Sequence, residues 1–444
     1  TSDVRITMAN GISLDSDEYV PNSGCPCPVI LIQTPYRKQG GVAEANTYFP
    51  EHGYAEIVVD VRGTGSSEGM WDSFGAKEQH DSVQLVQWAT RRPFSNGVIG
   101  LAGPSYGAIN QFLTVEQPGT EAVKAIFPVV PMSDSYRDVT TAGGNTDSGF
   151  IPLWLGLVNT LAVIPAQDTA TQPAIALNAE SQHAYDVTQF AVPNVAGSTT
   201  GGDQAYDGPF YRLRSPIARI ADVHVPTFIV GGLWDLFQRG EPLLYRGLNL
   251  PDSQKKLLIG PWYHDTGSSG QGLPMTDSQG RTIPTLNDLQ LAWFDHFLKG
   301  QANGIDSFPN VEQWYQGTKR FQPQSTYPAP GTTYHDWYLG PNGTLSETKP
   351  KSQSSAAVPY TLGNGVCSRS TDQWTAGETA LIAGNDGTPC DNYNNQNEAL
   401  GATFTTTPFT RATSISGPID VTVHMSSTAK DATLVAALTD VAPD

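Results

Sequence analysis

Basic residues are few. Lysine and arginine total 25 of 444 residues against 43 aspartates and glutamates, giving a formal net charge of −18. So acidic a chain is repelled by phosphate backbones and anionic headgroups, which excludes nucleic acid and an anionic membrane surface as principal partners. Long apolar runs are also missing. The longest, near Ile151–Ile164, is interrupted by Pro152, Gly156 and Asn159 and falls short of the ~18 residues that a membrane span needs. Cysteines number four, without the clustered His/Cys spacing of a zinc site, so no metal is expected. What the chain does have is apolar bulk: 39% hydrophobic residues, with 9 Trp, 17 Tyr and 16 Phe, enough for a large core and too much for disorder. Its 44 glycines and 33 prolines exceed the ~12% combined share of an average protein and point to a turn-rich architecture. The length corresponds to about two or three domains.

The first residue is Thr1, and no apolar leader precedes the globular pattern. A secreted protein after removal of its signal and an arbitrary start both fit. Scarce lysine, abundant Ser, Thr, Asn and Gly, and an even cysteine count favour secretion. Cys367 and Cys390 enclose a Gly/Asn-rich stretch and are candidates for a loop-closing disulfide. Cys25 and Cys27 sit in Cys-Pro-Cys, where a mutual bridge is expected to be strained. Pairings across to Cys367 and Cys390, or four unpaired thiols, stay open. The sequon Asn342-Gly343-Thr344 matters only in a eukaryotic host.

Residues 1–20 alternate polar and apolar around Asn10-Gly11, the pattern of a hairpin. Short apolar strands are expected at Val29–Gln33, Ala55–Val61, Val98–Ala102, Ala125–Val130, Pro226–Gly231 and Lys256–Ile259. Helical spacing falls at Ala76–Thr90, Ala108–Val115 and Leu289–Leu298. Apolar strands alternating with helices imply a largely parallel sheet covered on both faces. Residues 140–207 break that rhythm, with one helical stretch at Leu153–Val163 followed by polar, Gly/Ser/Thr-rich sequence. They read as an insertion over the carboxyl edge of the sheet. After about 330 the texture changes to turns and β-branched residues, as in Ile419–Met425 and Thr433–Leu438, which predicts an all-β sandwich.

Gly103-x-Ser105-x-Gly107 lies between an apolar strand and a helix, the context that gives this short motif meaning. The tight turn lifts Ser105 Oγ to the sheet edge and points the Tyr106 N–H toward a developing oxyanion. A serine needs a base, and the base an orienting carboxylate, in the chain order Ser, Asp or Glu, His. Of eight histidines, His52 and His80 precede the serine. His183 falls in the insertion, His224 before a strand, His296 in a helix, and His335 and His424 in the β region. His264 alone follows a strand into a loop. Asp235, after the strand Phe228–Gly232, supplies the carboxylate. The plain alternatives are a helix N-cap for Asp235 and a polar loop residue for His264.

At this point the sequence resembles the serine hydrolase family of cocaine esterase, α-amino acid ester hydrolases, glutaryl acylases and X-Pro dipeptidyl-peptidases. The motifs, in order, are Thr34-Pro35-Tyr36, Asp60-Val61-Arg62-Gly63-Thr64-Gly65 with Ser67-Glu68-Gly69, Gly103-Pro104-Ser105-Tyr106-Gly107, Gly232-Leu233-Trp234-Asp235-Leu236-Phe237, Gly260-Pro261-Trp262-Tyr263-His264 and Trp293-Phe294-Asp295-His296-Phe297-Leu298-Lys299-Gly300. The resemblance implies an α/β-hydrolase domain in two parts (1–139 and 208–329), a helical cap at 140–207 and a C-terminal jelly roll at 330–444. It also implies that the Tyr36 hydroxyl joins the Tyr106 amide in an oxyanion hole, and that Phe237, Trp154 and Trp234 contact substrate. Phe237 and Trp154 could equally be core residues. Two features depart from the family. No acid among Asp134, Asp138, Asp147 and Asp207 aligns with a role in holding a substrate amine, and the chain stops at Asp444 where the jelly roll would continue. The expectation is a longer natural protein, or a second chain carrying the remainder.

The reading is therefore a secreted serine hydrolase that needs no cofactor and acts on a small-molecule ester. Amide cleavage, as an acylase or aminopeptidase, is the alternative. A non-catalytic binding module is a third reading, disfavoured because serine, histidine and aspartate are all present. Oligomeric state is not written in the sequence.

Overall fold

The apolar runs become the buried centre of one sheet because their side chains alternate between two covered faces. A computed structural model of the chain describes residues 1–40, 47–164, 170–360, 368–379 and 394–441. The strands are β1 (Val4–Thr7), β2 (Ser13–Tyr19), β3 (Cys27–Thr34), β4 (Ala55–Asp60), β5 (Ser95–Leu101), β6 (Val123–Ile126), β7 (Thr227–Gly232), β8 (Lys255–Gly260), β9 (Val311–Tyr315) and β10 (Arg320–Gln324). They lie in the order β1-β2-β4-β3-β5-β6-β7-β8-β9-β10. Pairing is parallel from β4 through β9 and antiparallel at both ends. Val29, Leu31, Ile229 and Leu257 pack on one side with Leu85, Val86, Phe112 and Leu244. Their neighbours Ile30, Phe228, Val230 and Leu258 pack on the other with Trp293, Phe294 and Leu298. This two-sided burial is what a parallel sheet requires, and it gives an α/β-hydrolase architecture.

The N-terminal hairpin turns at Gly11, whose φ is +89°, but β2 is not apolar. Asp15 and Asp17 are buried there, held 3.1 Å from the buried Lys38 ammonium, which also reaches Asp3 at 2.9 Å. The hairpin β9–β10, which packs Trp314 against Phe321, extends the sheet beyond the strands expected from the sequence.

Between β6 and β7 the described residues include three helices of ten residues or more, Phe150–Val163, Pro173–Asp186 and Ala191–Thr200. The sequence reading expects only the first. Pro173 in the first turn and Gly201 in the left-handed C-cap are ordinary helix boundaries. The Ser/Thr/Gly content of 191–200 opposes a helix by propensity, and there the Ser198, Thr199 and Thr200 hydroxyls donate back to carbonyls of the preceding turn. His183 ties the insertion down, with Nδ1 2.9 Å from the Ala162 carbonyl and Nε2 2.8 Å from that of Ser67.

Past residue 330 the described residues form a short ladder, Tyr338–Leu339 with Leu345–Ser346, and helices Arg369–Trp374 and Asn395–Ala399. Ile419–Met425 and Thr433–Leu438, expected as strands, are exposed and have no ladder partner among the described residues. A strand without a partner has nothing to satisfy its backbone except water. Cys25 is bonded to Cys27, the mutual pairing that the sequence reading disfavoured. Cys367 and Cys390 lie outside the described residues. No helix among the described residues is long and apolar enough to cross a membrane.

Buried acids set a pH dependence. Desolvation pushes the carboxyls of Glu78 and Glu312 up to about 8 and that of Glu116 up to about 9, whereas an unfolded glutamate ionises near ~4.3. Between about pH 5 and 8 the native state keeps protons that the unfolded state has released, so stability falls as pH rises through that window. Lys256, pushed down to about 8 by burial, acts with the opposite sign only above it. Urea midpoints at about pH 5.5 and 8 should show the lower value at 8, with Glu116→Gln narrowing the gap. Equal midpoints in the native sequence would contradict the assignment.

Candidate active site

Ser105 lies between β5 and the helix Tyr106–Val115, with φ +53° and ψ −115°. A left-handed serine is uncommon, and such strain persists only where the surroundings fix it. The Ser105 N–H donates to the Val129 carbonyl at 2.9 Å. Gly103, at φ +123°, lets strand and helix approach: a Cβ there would lie 3.4 Å from Gly107 Cα.

β7 and β8, which lie beyond β6 in the sheet, bring up the partners. His264 Nε2 is 2.8 Å from Ser105 Oγ, and its Nδ1 is 3.1 and 3.2 Å from the two oxygens of Asp235. Asp235 is fully buried and His264 nearly so. With Nδ1–H donating to the carboxylate, Nε2 is the free lone pair that accepts from Ser105 O–H. That polarity suits removal of the serine proton. The Phe237 N–H donates to Asp235 Oδ1 at 2.7 Å, and the Phe237 ring sits edge-on to His264 at 4.9 Å. Gln373 Nε2 donates to the Asp235 main-chain carbonyl at 2.9 Å.

Glu241 is fully buried behind Asp235, with the Gly232 N–H and the Asp235 carboxylate as its hydrogen-bond partners. Burial, then the charge of Asp235, pushes its carboxyl well above the usual range, which favours its neutral form. Gly231 makes room for it, since a Cβ there would collide with its carboxyl.

The Tyr36 ring stands two residues past β3. Burial raises its hydroxyl above the ordinary phenol value, so it stays protonated; its side-chain partners are Trp154 and Ser105. Trp154 Nε1 donates to Tyr36 Oη at 3.0 Å. Tyr106 opens its helix, where first-turn N–H groups have no intrahelical acceptor. Its hydroxyl is anchored by Glu78 at 2.7 Å and accepts from Trp71 Nε1 at 3.2 Å. Among the expected substrate contacts, Phe237 and Trp154 flank this group. Trp234 is instead covered by the Arg369 guanidinium, 4.0 Å from the ring centroid, and by Tyr263.

The acids of the insertion are mostly committed elsewhere. Asp134 caps Tyr136 and Arg137 and pairs with the Arg137 guanidinium at 2.7 Å, while Asp207 meets the same guanidinium at 2.6 Å. Asp138 accepts from Ser133 and pairs with Arg239 at 2.6 Å. Asp147 Oδ1 accepts from the Gly149 and Phe150 N–H groups at 2.9 Å, and its buried Oδ2 has no partner. Sequence reasoning missed Glu241, Glu78 and Gln373. Glu78 and Glu241 read as acids in a first helical turn, and nothing in the spacing of Gln373 points to Asp235. Among the described residues no group of three His, Cys, Asp or Glu is placed to hold a metal ion.

The family model for X-Pro dipeptidyl-peptidases (S15 family) matches residues 10–266, and that for the X-Pro dipeptidyl-peptidase C-terminal non-catalytic domain matches 303–444. The chain is similar to cocaine esterase of Rhodococcus sp. (strain MB1 Bresler), 25% identical over 472 residues, covering 100% of this chain and 80% of that protein. Two solved structures show the same fold. An aminopeptidase from the marine sediment archaeon Thaumarchaeota archaeon has a TM-score of 0.61 at 20% identity, over 80% of this chain and 63% of that one. An α-amino acid ester hydrolase has a TM-score of 0.60 at 20% identity, over 80% and 63%. The chain thus spans less than two thirds of these two solved chains.

The neutrality of Glu241 is testable through the reactivity of Ser105. A fluorophosphonate should label Ser105, and Glu241→Gln, which keeps a neutral side chain of the same shape, should change the labelling rate by no more than about 3-fold. A loss of ~100-fold in a folded variant would mean that the carboxyl is needed as a charge.

Proposed function

We propose that this chain, which belongs to the S15 family of X-Pro dipeptidyl-peptidases, is a serine hydrolase that cleaves carboxylic esters through an acyl-enzyme. The observation that carries the reading is the continuous contact from Ser105 Oγ to His264 at 2.8 Å and from His264 to Asp235 at 3.1 Å, ending on a serine in a strained elbow. His264 takes the Ser105 proton as Oγ attacks the ester carbonyl, and Asp235 stabilises the imidazolium. The Tyr36 hydroxyl and the Tyr106 N–H receive the oxyanion. His264 then gives the proton to the leaving alkoxide, and water attacks the acyl-enzyme by the reverse path. No step calls on a cofactor. The low lysine content and the Cys25–Cys27 bond support a secreted setting.

Esters are favoured over peptides because Asp134 and Asp207 are engaged by the Arg137 guanidinium and Asp138 by Arg239, so each of these acids already has a cationic partner. A second reading, amine-directed amide cleavage, rests on Asp147, whose buried Oδ2 is unbonded. A matched panel of nitrophenyl esters and nitroanilides, each with and without a free α-amine, separates the two. Turnover confined to esters and indifferent to the amine is expected. Amine-dependent anilide cleavage, lost in Asp147→Asn, would select the second reading. Ser105→Ala should abolish turnover in either case, and Tyr36→Phe should lower kcat by about 100- to 1,000-fold with little change in KM.

A further inference from the structure

We infer that Trp154 is a positioning residue for the oxyanion hole: the inserted helix Phe150–Val163 aims the Tyr36 proton through the Trp154 indole N–H. The inference rests on Tyr36 serving as an oxyanion donor, as proposed above. An indole N–H can only donate, so in its 3.0 Å contact with Trp154 the Tyr36 oxygen must be the acceptor. That contact occupies one lone pair and forbids the phenolic proton from turning toward the indole. The proton is left to the remaining directions, and Ser105 is the other side-chain partner of the hydroxyl. Accepting one hydrogen bond also polarises the O–H and strengthens it as a donor.

The indole is itself held. It packs edge-on against Trp71 at 5.5 Å and parallel to Phe150 at 6.3 Å. Trp71 in turn donates its own N–H to Tyr106 Oη at 3.2 Å. Each tyrosine of the hole therefore accepts from a tryptophan, and one of these tryptophans belongs to the insertion. Tyr36 and Trp154 are 118 residues apart in sequence, so the hydroxyl is aimed only while the insertion is seated on the sheet edge. A pocket wall would act on substrate affinity, whereas this contact acts on the transition state.

A double-mutant cycle on ester hydrolysis tests the inference. Trp154→Phe should lower kcat by about 3- to 10-fold, the range of one neutral hydrogen bond, with KM nearly unchanged. In the Tyr36→Phe background the same change should alter kcat by less than about 2-fold, because no hydroxyl remains to aim. An equal loss in both backgrounds, or an effect confined to KM, would overturn the inference and leave Trp154 as a wall. If Tyr36→Phe alone leaves kcat intact, the oxyanion role of Tyr36 fails first. Thermal midpoints check folding. Should Trp154→Phe be destabilised, a benzothiophene isostere of the indole, which keeps the shape and lacks the N–H, is carried through the same cycle with the same criteria.

Discussion

Parallel pairing of the central strands is the constraint from which the site follows. Strands that run the same way end on the same edge, so whatever follows β3, β5, β7 and β8 is gathered along one line. Tyr36, Ser105, Asp235 and His264 each stand a few residues past one of those ends. The crossings between strands are made by helices that cover both faces, which keeps the strands buried and their registers fixed. Loops anchored on so rigid an edge can hold a serine at positive φ, a conformation that a flexible segment would relax away. Strain at Ser105 and order in the sheet are thus two aspects of one arrangement.

Electrostatics beneath the edge are arranged to leave a single negative charge under His264. Asp235 and Glu241 are both excluded from water, and two adjacent buried carboxylates cannot both ionise at neutral pH. Burial and the neighbouring Asp235 both disfavour the Glu241 anion, whereas Asp235 accepts from the Phe237 amide and faces the imidazole. That contrast favours the protonated form of Glu241. A second charge would over-stabilise the imidazolium and hold the base in its spent form. The aromatic surroundings act in the same direction, because they keep out water that would screen the pair.

The residues that meet at Ser105 were legible where strand-end position and chemistry coincide. Ser105 follows one apolar run, Asp235 another and His264 a third, and no other histidine satisfies that placement and chain order. Tyr36 was legible only through the resemblance of Thr34-Pro35-Tyr36 to a family motif, since spacing cannot tell an oxyanion donor from a packed aromatic. Glu241 was invisible because a glutamate opening a helix has an ordinary explanation. The helix at 191–200 is hidden by residues whose local preference opposes it, the one at 173–186 is missed although Ala174, Ala176, Leu177, Ala179 and Glu180 favour it, and the Trp154–Tyr36 bond spans too much sequence for any periodicity to report it. The β-branched texture at 419–438 was read as paired strands, but texture identifies what can pair and not whether a partner is present.

The site is also less local than its motifs. The sheet edge supplies the reacting groups, and the insertion supplies an indole to Tyr36. A third segment, residues 368–379, secures the two loops that carry Asp235 and His264. Gln373 donates to the Asp235 carbonyl, the Asp265 N–H donates to the Ala376 carbonyl at 3.2 Å, and Arg369 covers Trp234. That segment lies within the part matched by a domain described as non-catalytic, and none of its contacts touches Ser105. It restrains the main chain on which aspartate and histidine are mounted. Proton transfer over 2.8 Å tolerates little drift. Residues 368–379 can therefore influence turnover through the main chain that carries Asp235 and His264.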